Sequence, residues 1–246
     1  MNNFDSSMNI PNTFGIDAIT GCNLSCNFCE IKYLKKRLMK FEIFKKIIKW
    51  LKKCDIKEID LTPLAGEFVL HPEWEKMLEI SLLSFNKVIL FTNGLFFKYD
   101  KKFFKYKNLY LYMSVYKNSY IMKYNSYFNK YKKLTLIVRN NDIDLNLIKN
   151  KNIKFEIKKE NRINLKPITS EPSLCKFMLE PIITEKGLKL CCFHSDIKPI
   201  IKLEKLLQMS KKDLQLFYNN IINEIKNKNV FCNTSCGWYI PYNSKD

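Results

Sequence analysis

Nine cysteines fall unevenly along this 246-residue chain. Cys22, Cys26 and Cys29 lie together near the start. Cys175, Cys191, Cys192, Cys232 and Cys236 gather in the last third, and Cys54 stands alone. Thiols stay reduced in a cytoplasmic chain, so clustered thiols there point to metal or redox chemistry and not to disulfides. The run Gly21-Cys22-Asn23-Leu24-Ser25-Cys26-Asn27-Phe28-Cys29 separates its sulfurs by three and then two residues. On a loop, that spacing brings three thiolates within reach of one face of a four-iron cluster. One iron is then left open, as a catalytic metal requires. Zinc is the alternative, but it would want a fourth Cys or His nearby, and the first histidine is His71.

Such a loop needs a scaffold, and the chain between the two groups supplies one. Phe14 to Thr20 reads as a strand running into the first cysteine loop. Met39 to Lys53 carries apolar residues at Phe41, Phe44, Ile47, Ile48 and Leu51, a helical period. A short strand over Glu58 to Leu61 follows, and Pro72 opens a helix to about Ser84. Lys87 to Thr92 is a buried strand ended by the turn pair Asn93-Gly94. Strands over Asn108 to Tyr116 and Leu134 to Arg139 flank a helix over Ser119 to Lys132. A short helix over Asp142 to Asn150 and a strand over Ile153 to Ile157 complete the alternation. Strands joined by helices imply a parallel sheet with right-handed crossovers. Six units are too few for an eight-fold barrel and fit a partial α/β barrel of six strands. Beyond Leu165 the prolines, the turn at Gly187 and the paired cysteines predict a compact appendage. A helix over Leu203 to Lys226 belongs to it.

Composition narrows the function classes. Hydrophobic residues make up 46% and charged residues 27%, as in an ordinary globular protein. No window approaches the ~18 continuous apolar residues of a membrane helix, and the polar start lacks a signal-peptide pattern. The expected location is the cytoplasm, with no membrane partner. The net charge of +18 invites a nucleic-acid reading. The abundance of Lys, Asn, Ile, Tyr and Phe, which share AT-rich codons, weakens it. So does the scarcity of arginine, with Arg37, Arg139 and Arg162 alone. Nucleic acid is therefore not the expected partner.

The C-x3-C-x2-C loop, with Phe28 just before the third cysteine and a strand ahead of it, resembles the signature of radical S-adenosylmethionine enzymes. Further motifs match in order. Ala65-Gly66-Glu67 is similar to that family's Gly-Gly-Glu-Pro stretch, with Ala65 in place of the first glycine and Phe68 in place of the proline. Ser114 resembles the residue that contacts the cofactor ribose, and Arg139 the one that pairs with the methionine carboxylate. The resemblance implies a four-iron cluster on Cys22, Cys26 and Cys29 and S-adenosylmethionine held by Phe28, Gly66, Glu67, Ser114 and Arg139. It implies reductive cleavage to a 5′-deoxyadenosyl radical that abstracts hydrogen from substrate. An electron donor such as flavodoxin or ferredoxin is then required.

The second group resembles the Twitch module, a shortened relative of the SPASM domain that holds one auxiliary four-iron cluster. Cys175, Cys232 and Cys236 are three of the implied ligands. The fourth is open between Cys191, favoured by strand parity, and Cys192, favoured by its distance from Gly187. A four-thiolate zinc site is the alternative for the whole group. The expected organisation is a radical core over residues 13–164 and a Twitch-like domain over 165–246. Cys54 is expected as a buried helix residue.

Three functions fit these residues. The first is a radical oxidoreductase on a small molecule, a sugar, cyclitol or nucleotide-like substrate, with the auxiliary cluster accepting an electron. A core with a Twitch-like module and little else resembles the family that oxidises an aminocyclitol alcohol. The second is a peptide-modifying enzyme. Many of these carry a leader-binding domain, and only Met1 to Thr13 precedes the first strand. The third, a non-catalytic iron–sulfur or zinc protein, leaves Glu67 and Arg139 without a role. No catalytic base is identified, although Arg162 and Tyr116 are available. His71 and His194 are expected to be structural.

Overall fold

The computed structural model describes residues 10–26, 36–63, 66–99, 102–139, 142–148, 153–157, 173–175, 181–189, 199–226 and 239–241. The chain opens with β1 (Thr13–Ile16) and a small hairpin of β2 (Ile19–Thr20) and β3 (Arg37–Leu38). Next come α1 (Phe41–Lys53), β4 (Glu58–Asp60), α2 (Trp74–Ser84), β5 (Lys87–Thr92) and α3 (Leu95–Tyr99). The core continues through β6 (Leu109–Val115), α4 (Asn118–Phe128), β7 (Leu134–Val138) and β8 (Lys154–Ile157). The described remainder holds β9 (Ser173–Cys175), β10 (Ile182–Thr184), β11 (Gly187–Lys189), β12 (Ile201–Lys202), α5 (Leu203–Gln208), α6 (Lys211–Lys226) and β13 (Tyr239–Pro241).

Six parallel strands, β1-β4-β5-β6-β7-β8, stand side by side in chain order, as the alternation of strands and helices predicts. The β1 side of this partial barrel is not an edge. β10 pairs with β1 in parallel, and β11 and β12 extend the same sheet antiparallel. β9 and β13 form a separate pair.

The two faces of the sheet differ. Phe14, Ile16, Ile59, Val88, Leu90, Leu111 and Leu136 are fully buried on the helix side. Phe14 meets the rings of Trp50 on α1 and Tyr218 on α6 edge-on, each at 6.3 Å. Burying a side chain of this size contributes roughly 1.5–3 kcal/mol. The other face carries Asp60, Ile89, Phe91, Tyr110, Tyr112 and Thr135 in lateral register, all half-buried. Alternation along each strand produces this division into a dry outer face and a polar, partly open inner face.

Three elements depart from the sequence reading. The expected helix over 203–226 is two helices. Ser210 breaks it, because its hydroxyl accepts from Asp213 N at 3.2 Å while the Asp213 carboxylate accepts from Ser210 N at 2.9 Å. That reciprocal pair is a capping box, and it starts a new helix. The expected helix over 142–150 shrinks, among the described residues, to one 3-10 turn, Leu145–Leu147. There Asp144 accepts from Asn146 N, a local bond that competes with helix propagation. α2 starts at Trp74, two residues past Pro72, because His71 Nδ1 accepts from Glu73 N at 3.0 Å and orders the turn ahead of the helix. Cys54 is fully buried as expected, just past the last turn of α1.

Gly187 turns the β10–β11 hairpin at φ 136°, and a Cβ there would sit 1.9 Å from the carbonyl oxygen of Ile201. Gly187→Ala combines a disfavoured backbone angle with a clash against main chain. The expected loss is about 2–4 kcal/mol, read as a lower urea midpoint at unchanged m-value.

Candidate active site

The loops that leave the C-terminal ends of the parallel strands hold most of the nominated residues that the structure describes. This is the end of such barrels where sites gather. Glu67 follows β4. It is fully buried, and its backbone N–H donates to Gly21 O at 2.9 Å, which ties this loop to the cysteine loop. Its carboxyl accepts from Thr92 Oγ1 at 2.9 and 3.0 Å and from Asn93 N at 2.8 Å, at the end of β5. Burial pushes the Glu67 carboxyl up to about 7, against the opposing pull of those donors.

Cys22 and Cys26 are half-buried thiols, neither in a disulfide. Cys22 Sγ receives N–H groups from Leu24 N at 3.4 Å and from Asn93 Nδ2 at 3.5 Å. Burial raises the Cys22 thiol, and the Leu24 and Asn93 donors counter it. Cys26 faces Tyr116, just past β6. Tyr116 is hydrogen-bonded to both Cys26 and Ser114, and burial raises its phenol far above the usual range. Arg139, just past β7, donates its backbone N–H to Val115 O at 3.0 Å, and its charge is felt by Tyr116. Its Nε is buried with no hydrogen-bond partner among the described residues.

The site therefore has two arms that share the cysteine loop. Glu67, Thr92, Asn93 and Cys22 form one. Cys26, Tyr116, Ser114 and Arg139 form the other. Thr92 and Asn93 were not nominated from sequence; the signal was the turn pair Asn93-Gly94, which marks a strand end without indicating what lies across from it. His71 lies outside both arms. Its Nε2 meets Met39 O at 2.9 Å while Nδ1 accepts from Glu73 N, so both nitrogens are engaged in a buried, structural role. Phe28 and Cys29 lie outside the described residues, as do Arg162, Cys191, Cys192, His194, Cys232 and Cys236. Cys175 is described through its backbone in β9, opposite Tyr239 of β13, and Tyr239 follows Cys236 by three positions in sequence.

No family model matches the chain. Over 77 residues it is 34% identical to the 7-carboxy-7-deazaguanine synthase of Clostridium acetobutylicum, a match covering 30% of this chain and 34% of that protein. The chain thus matches about a third of the length of that curated relative. Among solved structures, BtrN in complex with AdoMet and 2-DOIA superposes with a TM-score of 0.59 at 12% identity. That superposition covers 92% of this chain and 94% of BtrN. Streptococcus suis SuiB bound to S-adenosylmethionine superposes with a TM-score of 0.53 at 14% identity, over 94% of this chain and 77% of SuiB. The fold is that of the radical S-adenosylmethionine enzymes.

The described residues fit the cofactors that a radical S-adenosylmethionine fold implies. The amino-acid end of S-adenosylmethionine carries one ammonium and one carboxylate. Glu67 offers the matching anion, and Arg139 a buried N–H without a partner among the described residues. The half-buried thiols of Cys22 and Cys26 are ligands of the kind that iron takes.

Glu67 makes cofactor-free stability depend on pH. Between the ordinary carboxyl value of 4.5 and about 7, the folded chain keeps a proton that the unfolded chain has lost. Stability therefore falls as pH rises through that window, by up to ~3 kcal/mol. In cofactor-free protein, Glu67→Gln is expected to remove this component and to gain on wild type between pH 5 and pH 8. An identical pH dependence of the denaturation midpoints in the two proteins would show that Glu67 titrates normally.

Proposed function

We propose that the chain is a radical S-adenosylmethionine oxidoreductase acting on a small polar molecule of sugar, cyclitol or nucleotide-like character. One arrangement carries the reading: Glu67 and Arg139, of opposite charge, stand at the same strand-end rim as the thiols of Cys22 and Cys26. When bound, the cluster and S-adenosylmethionine supply one electron and a 5′-deoxyadenosyl radical. Cys22, Cys26 and Cys29 hold the cluster. Glu67 takes the cofactor ammonium, Arg139 its carboxylate and Ser114 its ribose, and Phe28 and Gly66 are the further proposed cofactor contacts.

The inner sheet face supports a polar substrate. Tyr112 lies in the field of Asp60, at the end of β4, and of Glu156, so polar groups stand beside the apolar Ile89 and Phe91 on this face. Tyr116 keeps its proton at neutral pH, so it acts as a hydrogen-bond donor and not as a base. The likeness to BtrN, seen with AdoMet and 2-DOIA over nearly the whole of both chains, supports a small molecule over a peptide.

Residues 13–164 form the proposed radical core and residues 165–246 the Twitch-like part. Cys175, Cys191 or Cys192, Cys232 and Cys236 are the proposed ligands of one auxiliary four-iron cluster. The pairing of Cys175 with Tyr239 supports this, since it brings the first ligand to the strand that follows the last. The cofactor would supply an acceptor for a substrate hydrogen atom, and a cluster on Cys175, Cys191 or Cys192, Cys232 and Cys236 would supply an acceptor for one electron; an alcohol that gave up a carbon-bound hydrogen atom, its hydroxyl proton and that electron would become a ketone. The first electron comes from a donor of the flavodoxin or ferredoxin type.

Anaerobically reconstituted protein is expected to hold ~8 irons. Cys22→Ala, Cys26→Ala and Cys29→Ala together should remove about half and abolish 5′-deoxyadenosine. Incubation with deuterated candidate alcohols should place deuterium in 5′-deoxyadenosine; label arriving from a peptide instead establishes a peptide-modifying enzyme. Cys232→Ala with Cys236→Ala, shown folded by circular dichroism, should still make 5′-deoxyadenosine but little ketone. Arg139→Lys loses the guanidinium fork and should weaken S-adenosylmethionine binding by ~1.5–3 kcal/mol. Equal affinity removes Arg139 from the site.

A further inference from the structure

Asn93 touches both halves of the proposed chemistry. Its backbone N–H donates to Glu67 at 2.8 Å. Its side-chain Nδ2 donates to Cys22 Sγ at 3.5 Å and to Asn23 Oδ1 at 2.9 Å. The direction of this amide is set by its other end. Oδ1 accepts from Leu95 N at 3.2 Å, so Nδ2 is the atom turned toward the cysteine loop. A flipped amide would set an oxygen against the Leu24-flanked sulfur and Asn23 Oδ1, and leave Leu95 N facing a donor.

The turn that aims Asn93 is rigid. Gly94 has φ 98°, and a Cβ there would lie 2.6 Å from the Tyr124 ring. Gly94 N donates to Thr92 Oγ1 at 3.0 Å, the same hydroxyl that donates to Glu67. Asn93 is thus held by its turn, by Glu67 and by Leu95, and its side-chain donor is left for sulfur. An N–H group directed at a cluster ligand stabilises the more electron-rich state, so it raises the reduction potential.

We propose that Asn93 is a positioning residue that donates its side-chain N–H to the Cys22 sulfur, raises the reduction potential of the cluster held there, and locks that ligand to the Glu67 side of the cofactor cleft. The proposal rests on the reading of Cys22 as a cluster ligand. It adds a residue that touches neither iron nor substrate. It accounts for the use of asparagine at this strand end, where Asp or Ser would satisfy the turn equally well.

The test compares Asn93→Asp and Asn93→Ala with wild type in the reconstituted holoenzyme. Asn93→Asp keeps the Leu95 bond and the backbone bond to Glu67, but replaces the donor with an anion. The readout is the midpoint potential of the electron paramagnetic resonance signal that responds to added S-adenosylmethionine, which separates this cluster from any other. Both variants should retain iron and shift that midpoint negative, Asn93→Asp further than Asn93→Ala. S-adenosylmethionine affinity for the oxidised cluster should change less than about threefold, since the Glu67 bond is to backbone. An unchanged midpoint in both variants overturns the proposal. If the variants lose their iron, wild type decides. Asparagine labelled with ¹⁵N in the side chain should give a hyperfine coupling to the reduced cluster, and its absence overturns the proposal. Failure of the underlying reading has a different signature: a Cys22→Ala variant that keeps all its iron and its S-adenosylmethionine-responsive signal.

Discussion

The buried carboxyl of Glu67 is the interaction on which the site depends. A carboxyl removed from water is costly unless donors or a cation surround it. Thr92 Oγ1 and Asn93 N provide the donors, and the remaining deficit leaves the group poised near neutrality, at about 7. A bound ammonium would tip it to the carboxylate. The same residue fastens its loop to Gly21 through its backbone. The proposed cofactor contact and the placement of the cysteine loop therefore meet in one residue with two kinds of bond.

Around that carboxyl the sheet separates two solvents. Its outer face is sealed by fully buried aliphatic and aromatic side chains against α1 and α6. Its inner face keeps half-buried tyrosines with Asp60, Lys87 and Glu156 near Tyr112. Electrostatic contacts count for more where water is partly excluded. The strong positive charge of the chain spreads over exposed lysines, many of which lie over neighbouring aromatic rings, such as Lys133 above Tyr110 at 4.1 Å. Such pairs keep the cations hydrated and at the surface.

β10 lies beside β1 and parallel to it, which places residues far apart in sequence at one rim. Asp17, just past β1, lies between the charges of Arg37 and Lys189, and burial still raises its carboxyl. β10, β11 and β12 are thus continuous with the core sheet through hydrogen bonds, and the register of β10 with β1 sets Gly15 opposite Ile182.

Much of this was legible in sequence. The alternation of strand and helix patterns fixes six parallel strands in chain order, because hydrophobic period reports directly on local geometry. Cys22 and Cys26 stood out by their spacing, and Glu67, Ser114 and Arg139 by resemblance to family motifs near strand ends. The break at Ser210 was also readable, as a Ser-x-x-Asp box, but the continuous apolar period across it masked the signal. Other features required the folded chain. Nothing local to Asn93 says that its amide faces Cys22, since 71 residues separate them and the parallel pairing of β1 with β4 and β4 with β5 closes the gap. Nothing local to Arg139 says that its Nε is buried without a partner among the described residues, or to Tyr116 that burial raises its phenol. Sequence determines which groups are available and on which side of a strand they stand. Tertiary packing decides their neighbours and their access to water, and those two quantities set charge state and reactivity.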